Sequence, residues 1–355
     1  MTVETVKYVQ AIFIEWDVDL VCSQNGTQAT VQQSSLNEEL GQVSYVLSDK
    51  TGTLTCNHMS FKKVSIGGVS YGSSFDECSD STTKEVTNFN MVDTSLDRVL
   101  SQKVNQNNEY ANCSAFLTHL AICHTIVSSK DPKDETKIVL NSSSPDELAL
   151  INGAKYYGVK FVERTSSNQI IIRDRNEGGR LKQYQLLNVI EFTSDRKRMT
   201  VIVRTPQDQI KVLCKGADSA LIPLLAMSSE NLRVKEKTMG HLYDYAKDGL
   251  RTLMICEKTL DHSFYRNWQR TYENAKFSIN NKDQKVRAAV AEIENNFNLL
   301  GATAIEDELQ EEVGETISSI KQAGIKFWML TGDKMETAIN IGFSCKVLDQ
   351  ESELF

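Results

Sequence analysis

The sequence predicts an α/β unit built on a parallel sheet and interrupted by an α+β insertion with an antiparallel sheet. Three observations carry this. Val43-Ser44-Tyr45-Val46-Leu47 and Ile325-Lys326-Phe327-Trp328-Met329-Leu330 are short, nearly continuous apolar runs, the pattern of strands buried on both faces of a parallel sheet. Around the second run the order is helix, strand, short turn, helix, which is α/β architecture. Between the two runs lie strands grouped together with few crossovers, which suggests antiparallel pairing.

In chain order, Tyr8 to Trp16 is apolar and aromatic and stops at Asp17. It lacks the basic start and small-residue cleavage site of a signal peptide, and fits either a buried first helix or the tail of a longer membrane helix. No run of about 18 apolar residues follows, so nothing here spans a bilayer. Ser23 to Ser35 is polar and reads as a surface loop, and Ser73 to Asn108 as a polar excursion. Helical segments are expected at Phe116 to Val127 and Asp146 to Tyr157. Strands are expected at Val159 to Glu163, Ile170 to Arg173, Leu181 to Phe192, Met199 to Arg204, Gln209 to Leu213 and Leu250 to Cys256. Arg266 to Phe297 reads as two helices, with Trp268, Tyr272 and Ala275 on the first and Val286, Val290, Ile293 and Phe297 on the second. Leu309, Val313, Ile317 and Ile320 share one face of a further helix closed by Gly324. Met335, Ala338, Ile339, Gly342 and Phe343 mark the last. There is no internal repeat.

A chain of 355 residues suggests two domains, at roughly 100–200 residues each. Lys plus Arg is 39 against 47 Asp plus Glu, a formal charge of −8. That balance argues against nucleic acid as a partner, while leaving room for a local basic pocket that takes a small phosphate ligand. The eight cysteines never form a CxxC pair and read as reduced, mostly buried thiols. Cys113, His119, Cys123 and His124 fit no zinc spacing and read as core residues of an apolar helix.

The most informative stretch is Ser48-Asp49-Lys50-Thr51-Gly52-Thr53-Leu54-Thr55. An aspartate directly after a buried parallel strand sits at the carboxyl edge of the sheet, where α/β folds bind ligands. The small hydroxylated residues and Gly52 after it let main-chain N–H groups turn towards an oxyanion, and a carboxylate there can form an aspartyl phosphate. Asp49 to Thr55 resembles, letter for letter, the phosphorylation signature of P-type ion- and lipid-transporting ATPases. Those proteins are similar to haloacid-dehalogenase-type hydrolases, in which a second acidic residue often stands two positions after the nucleophile. Here that position is Thr51, and losing a general acid/base there slows hydrolysis of the phospho-enzyme, which suits a pump rather than a phosphatase. Thr331-Gly332-Asp333, directly after the second apolar run, matches the threonine-glycine-aspartate motif of the same family. The resemblance implies that Thr331 holds a phosphoryl oxygen and that Asp333 faces the nucleotide.

It also implies an ATP site in the insertion. Glu147 in Ser144-Pro145-Asp146-Glu147 matches a glutamate near the adenine, although Ser144, Pro145 and Glu147 also have the form of a capping box. Phe192 matches the aromatic on which adenine stacks. Ser194 and Lys197 match polar neighbours of the nucleotide, whereas Arg196 and Arg198 read as a solvated charge run. Lys215, before Gly216, matches the pocket lysine, and Arg251-Thr252 the arginine that pairs with ATP phosphates, with its neighbour. Lys50, Thr51, Thr331 and Gly332 complete the ATP-binding set with Asp49 and Asp333. Asp49 and Thr51 are the implied magnesium ligands. There is no P-loop, because Gly153 to Gly158 is followed by Val159 instead of lysine.

Asn37 to Gln42, Ser144 to Leu148, Phe192 to Met199, Gly301 to Asp307 and Met329 to Gly342 look like the phospholipid-translocating (flippase) subgroup. The resemblance implies four segments: residues 1–18 as the end of a membrane helix, 19–60 and 301–355 as two parts of a haloacid-dehalogenase-like (Rossmann-type) phosphorylation domain, and 61–300 as the nucleotide-binding domain. The family's second magnesium motif is expected after Phe355, so the phosphorylation domain is read as incomplete and magnesium as short of fixed ligands. The implied protein lies at the cytosolic face of a membrane, with phospholipid as transported substrate and a membrane glycoprotein as partner subunit. The alternatives are a non-catalytic ATP-binding fragment and a dehalogenase-type phosphatase.

Overall fold

The computed structural model describes residues 3–22, 25–34, 36–72, 86, 88–91, 93–101, 108–130, 138–142, 144–333, 335–349 and 352–353. In chain order it begins with α1 (Val3–Glu15), α2 (Leu36–Leu40), β1 (Tyr45–Asp49), β2 (Thr55–Ile66), β3 (Val69–Tyr71), α3 (Thr94–Ser101) and α4 (Asn108–Ile122). Next come β4 (Val127–Lys130), β5 (Ile138–Asn141), α5 (Pro145–Tyr156), β6 (Val159–Arg164), β7 (Gln169–Asp174), β8 (Arg180–Ile190), β9 (Arg198–Arg204) and β10 (Ile210–Gly216). The chain ends with α6 (Asp218–Leu221), α7 (Ser229–Lys247), β11 (Arg251–Leu260), α8 (His262–Lys276), α9 (Lys282–Ile293), β12 (Asn298–Leu309), α10 (Val313–Gln322), β13 (Lys326–Leu330) and α11 (Met335–Ser344).

It separates into two compact units, one of Met1–Leu54, Glu311–Gly332 and Gly342–Phe355, the other of Thr55–Gln310 and Asp333–Ile341. The family resemblance implies the corresponding lines after residues 60 and 300. The units divide further out because β2 and β12 run as one antiparallel ladder, from Gly301 opposite Ile66 to Leu309 opposite Thr55.

In the first unit β1 and β13 pair in parallel, with Tyr45 opposite Lys326 and Asp49 opposite Leu330. The parallel pairing matches the sequence; the expected burial does not. Tyr45, Leu47, Trp328 and Leu330 are 52%, 60%, 55% and 52% exposed, because among the described residues this sheet has two strands and little covers its faces. Leu309 ends β12 instead of joining the helix, which begins at Val313 and buries Ile317. Only Ala11 of α1 is buried, while Tyr8, Phe13 and Trp16 are exposed, so α1 is not a core helix. Among the described residues no helix is long and apolar enough to cross a membrane.

The second unit holds a nine-stranded antiparallel sheet in the order β3-β2-β12-β11-β10-β9-β8-β7-β6. Alternate residues of its strands enter different cores, as period-two side chains must. Val201, Val203 and Ile255 pack with Phe61, Phe116 and Leu120, whereas Ile202, Met254 and Cys256 pack with Trp268, Tyr272 and Phe297. The polar excursion contains a helix, α3, with Leu96 and Leu100 buried; residues 73–85, 87, 92 and 102–107 lie outside the described part. The helix expected to run to Val127 starts earlier, at Asn108, and stops at Ile122, with Val127 opening β4. Cys113, His119, Cys123 and His124 are all buried. Burial first, and nearby Lys215 next, hold His119 down to about 3 and His124 to about 4, so both rings are neutral at neutral pH.

Candidate functional site

The first unit gathers the acceptor residues at one edge. Because Asp49 stands opposite Leu330 in a parallel pair, Asp49 and Thr331-Gly332 leave their strands at the same carboxyl end, where α/β sheets bind ligands. Asp49 is exposed, and its Oδ1 accepts a hydrogen bond of 2.7 Å from the Lys50 N–H. Thr51 (φ −78°, ψ 120°) and Gly52 (φ 76°, ψ 0°) have the dihedrals of a type II turn, whose third residue needs positive φ and so favours glycine. The turn leaves Thr51 exposed, while Lys50 is buried, at 2%.

The second unit contains a cavity of about 690 Å³ lined in part by Thr125, Asp146, Glu147, Phe192, Met199 and Lys215. Phe192, just past the end of β8, is 59% exposed and lines the cavity. Lys215 sits near the end of β10 between Met199 and Ile255 of the flanking strands. Its Nζ donates to Glu147 Oε1 at 2.8 Å, with both side chains largely buried. Glu147 Oε2 accepts from Thr125 N–H at 3.0 Å and from Thr125 Oγ1 at 2.9 Å. Burial alone raises the Glu147 pKa, but Lys215 and Thr125 outweigh it and hold the carboxyl below its usual value.

The capping box is therefore not formed. Ser144 is the N-cap and Pro145 follows, as expected, but the Ser144 side chain makes no cap hydrogen bond, and Glu147 turns to Lys215 instead of back to the helix start. Gly216, the next residue, sits where a side chain has no room. A Cβ there would meet Lys197 O at 2.6 Å and Arg198 Cβ at 2.5 Å, so the close approach is to the start of the adjacent strand β9.

Ser194 and Lys197 are exposed on the turn after Phe192, and neither lines the cavity. Arg251 begins β11 just past the Gly249 turn, and Thr252 follows it; they too lie outside the lining. Arg251 Nη1 is 3.2 Å from Asp146 Oδ2, and Nη2 is 3.6 Å from Asp307 Oδ2. Burial lowers its pKa, but Asp146, Asp307 and Asp333 outweigh this and hold the guanidinium above its usual value.

Arg196 and Arg198 are not a solvated charge run. Both bind Glu294, a fully buried carboxylate, Arg198 Nε at 2.7 Å and Arg196 through Nη2. Thr200 Oγ1 donates to it as well, at 2.5 Å. Neither Thr125 nor Glu294 was visible as a partner in the sequence, because each stands far along the chain from the residues it holds. Among the described residues no group of three or more His, Cys, Asp or Glu side chains is arranged to hold a metal ion.

A family model described as P-type ATPase, cytoplasmic domain N, matches residues 112–312, more than half of the chain. This chain belongs to the P-type ATPase family. It is 42% identical over its full length to phospholipid-transporting ATPase DRS2 of Saccharomyces cerevisiae, covering 26% of that protein. It is 39% identical, again over its full length, to phospholipid-transporting ATPase IC of Xenopus tropicalis, covering 28% of it. To human phospholipid-transporting ATPase ID it is 40% identical over its full length, covering 29%. The chain thus spans less than a third of each of these relatives, and the part it spans in a P-type ATPase includes the nucleotide-binding domain. Membership implies ATP and magnesium in general terms.

Proposed function

We propose that this chain is the ATP-binding and phosphorylation part of an ATP-driven phospholipid translocase, acting through an aspartyl phosphate on Asp49. The observation that carries this is the β1–β13 register, which brings Asp49 and Thr331-Gly332 to one sheet edge. Adenine stacks on Phe192 beside the Lys215–Glu147 pair, Ser194 and Lys197 flank the nucleotide, and Arg251, Thr252 and Asp333 address its phosphate side. An Asp49 oxygen attacks the γ-phosphorus as the bond to the bridging oxygen breaks and ADP leaves. The N–H of Lys50 orients that carboxylate, and Thr331 with Gly332 receives the phosphoryl oxygens. Asp49 and the Thr51 carbonyl form an all-oxygen donor set of the kind magnesium takes beside water and substrate phosphate. When bound there, the ion neutralises charge on the transferring group.

The phosphorylation domain, on this proposal, is in two pieces flanking the nucleotide domain, and residues 1–18 are the cytosolic end of a membrane helix. The exposed Tyr8, Phe13 and Trp16 of that segment support the last point. Phospholipid as cargo, and a membrane glycoprotein as partner subunit, belong to a longer protein of the kind the relatives represent. The test is incorporation of label from γ-labelled ATP. Acid-stable, hydroxylamine-sensitive label is expected on the wild-type chain and none on Asp49→Asn. ATP binding by the wild type without any label contradicts the phosphorylation half and leaves the nucleotide half standing.

A further inference from the structure

Two successive acids of the first turn of α5 each face a cation, in different surroundings. Glu147 meets Lys215 with the two side chains 8% and 9% exposed. Asp146 meets Arg251 at 3.2 and 3.4 Å, with the side chains 23% and 31% exposed. A buried pair separates only at high cost, whereas a half-open pair with long contacts exchanges partners easily in water. Asp146 lines the cavity and Arg251 does not. Asp307, 5% exposed, approaches the same guanidinium from β12, so Arg251 keeps an acidic partner when Asp146 lets go.

We propose that Asp146 competes with phosphate for Arg251: it holds the guanidinium in the nucleotide-free chain and gives it up when a polyphosphate enters the cavity. This rests on the ATP site proposed above and deepens it. A guanidinium donates to a carboxylate or to a phosphate alike, so the exchange replaces one partner by another without leaving the cation bare. The displaced carboxylate stays on the cavity wall beside the incoming phosphates and repels them. Asp146 therefore sets how tightly the phosphates bind, and has no influence on the base.

The test is calorimetric titration of the full chain with ATP and with adenosine, for wild type, Asp146→Asn and Asp146→Ser. Both variants are expected to bind ATP more tightly, on the order of fivefold, with adenosine unchanged. The gain is expected to shrink at high salt, because exposed charges are screened. Unchanged or weaker ATP binding in both variants, or a parallel shift in adenosine affinity, overturns the competition. A wild-type chain that binds adenosine but gains nothing from the triphosphate also overturns it. If the wild type binds neither compound, it is the underlying ATP site that falls.

Discussion

Lys215→Met is expected to destabilise the second unit by about 3–5 kcal/mol, because it leaves Glu147 as a buried charge without its cation. The Lys215–Glu147 contact is 2.8 Å with both residues 7% exposed, and Thr125 alone remains to hold the carboxylate. Thermal unfolding should move down by on the order of 10 °C. The double variant Lys215→Met, Glu147→Leu should recover much of that loss, since removing a whole buried pair costs far less than halving it. Neither variant should bind ATP as the wild type does. The same pair has a pH signature. Glu147 is held below its ordinary value of 4.5, so its contribution is full above that value and is lost as pH falls through the depressed folded-state pKa. An acid-unfolding curve of Glu147→Gln that superimposes on the wild-type curve would contradict this.

The second large effect is expected at Glu294. Glu294→Ala leaves Arg196 and Arg198 facing each other without their shared counter-charge, at a cost again of about 3–5 kcal/mol. Glu294→Gln keeps the shape and one acceptor oxygen, so it should fall between Ala and wild type. The clasp also anchors the turn that carries Phe192, for Arg196 Nη1 donates to Glu191 O at 2.6 Å. ATP affinity should therefore fall with stability in Glu294→Ala. Chemical denaturation of the three proteins checks the order; a Glu294→Ala midpoint equal to that of the wild type rules out the clasp.

Local chemistry was legible in the sequence where one short string contains its own partners. Asp49 to Thr55 could be read as a strand end and turn, and the structure has a type II turn at Thr51-Gly52. Glu147 was legible as a site residue, but the capping box that its spacing also suggests is not formed, because a cation 68 positions away gives a buried carboxylate a better partner than a helix N–H. The Arg196–Glu294–Arg198 clasp bridges nearly one hundred positions, and nothing in either segment announces the other. The strands β2 and β12 have no short string that announces them, although Gly67-Gly68 between β2 and β3 is a two-residue hairpin signal. The exposed faces of β1 and β13 were beyond sequence reasoning of this kind, because apolar runs report what a strand favours and not how many neighbours it has.

ATP titration of wild type, Asp49→Asn and Phe192→Ala, in one calorimetric series, tests most directly whether nucleotide binding and the phosphate acceptor are carried by separate units. Phe192→Ala is expected to weaken ATP binding on the order of tenfold, the worth of a base stacked on an aromatic ring. Asp49→Asn is expected to bind as tightly as wild type or slightly more so, since it removes one negative charge. Phe192→Ala indistinguishable from wild type, or ATP binding abolished by Asp49→Asn, would contradict that division of labour.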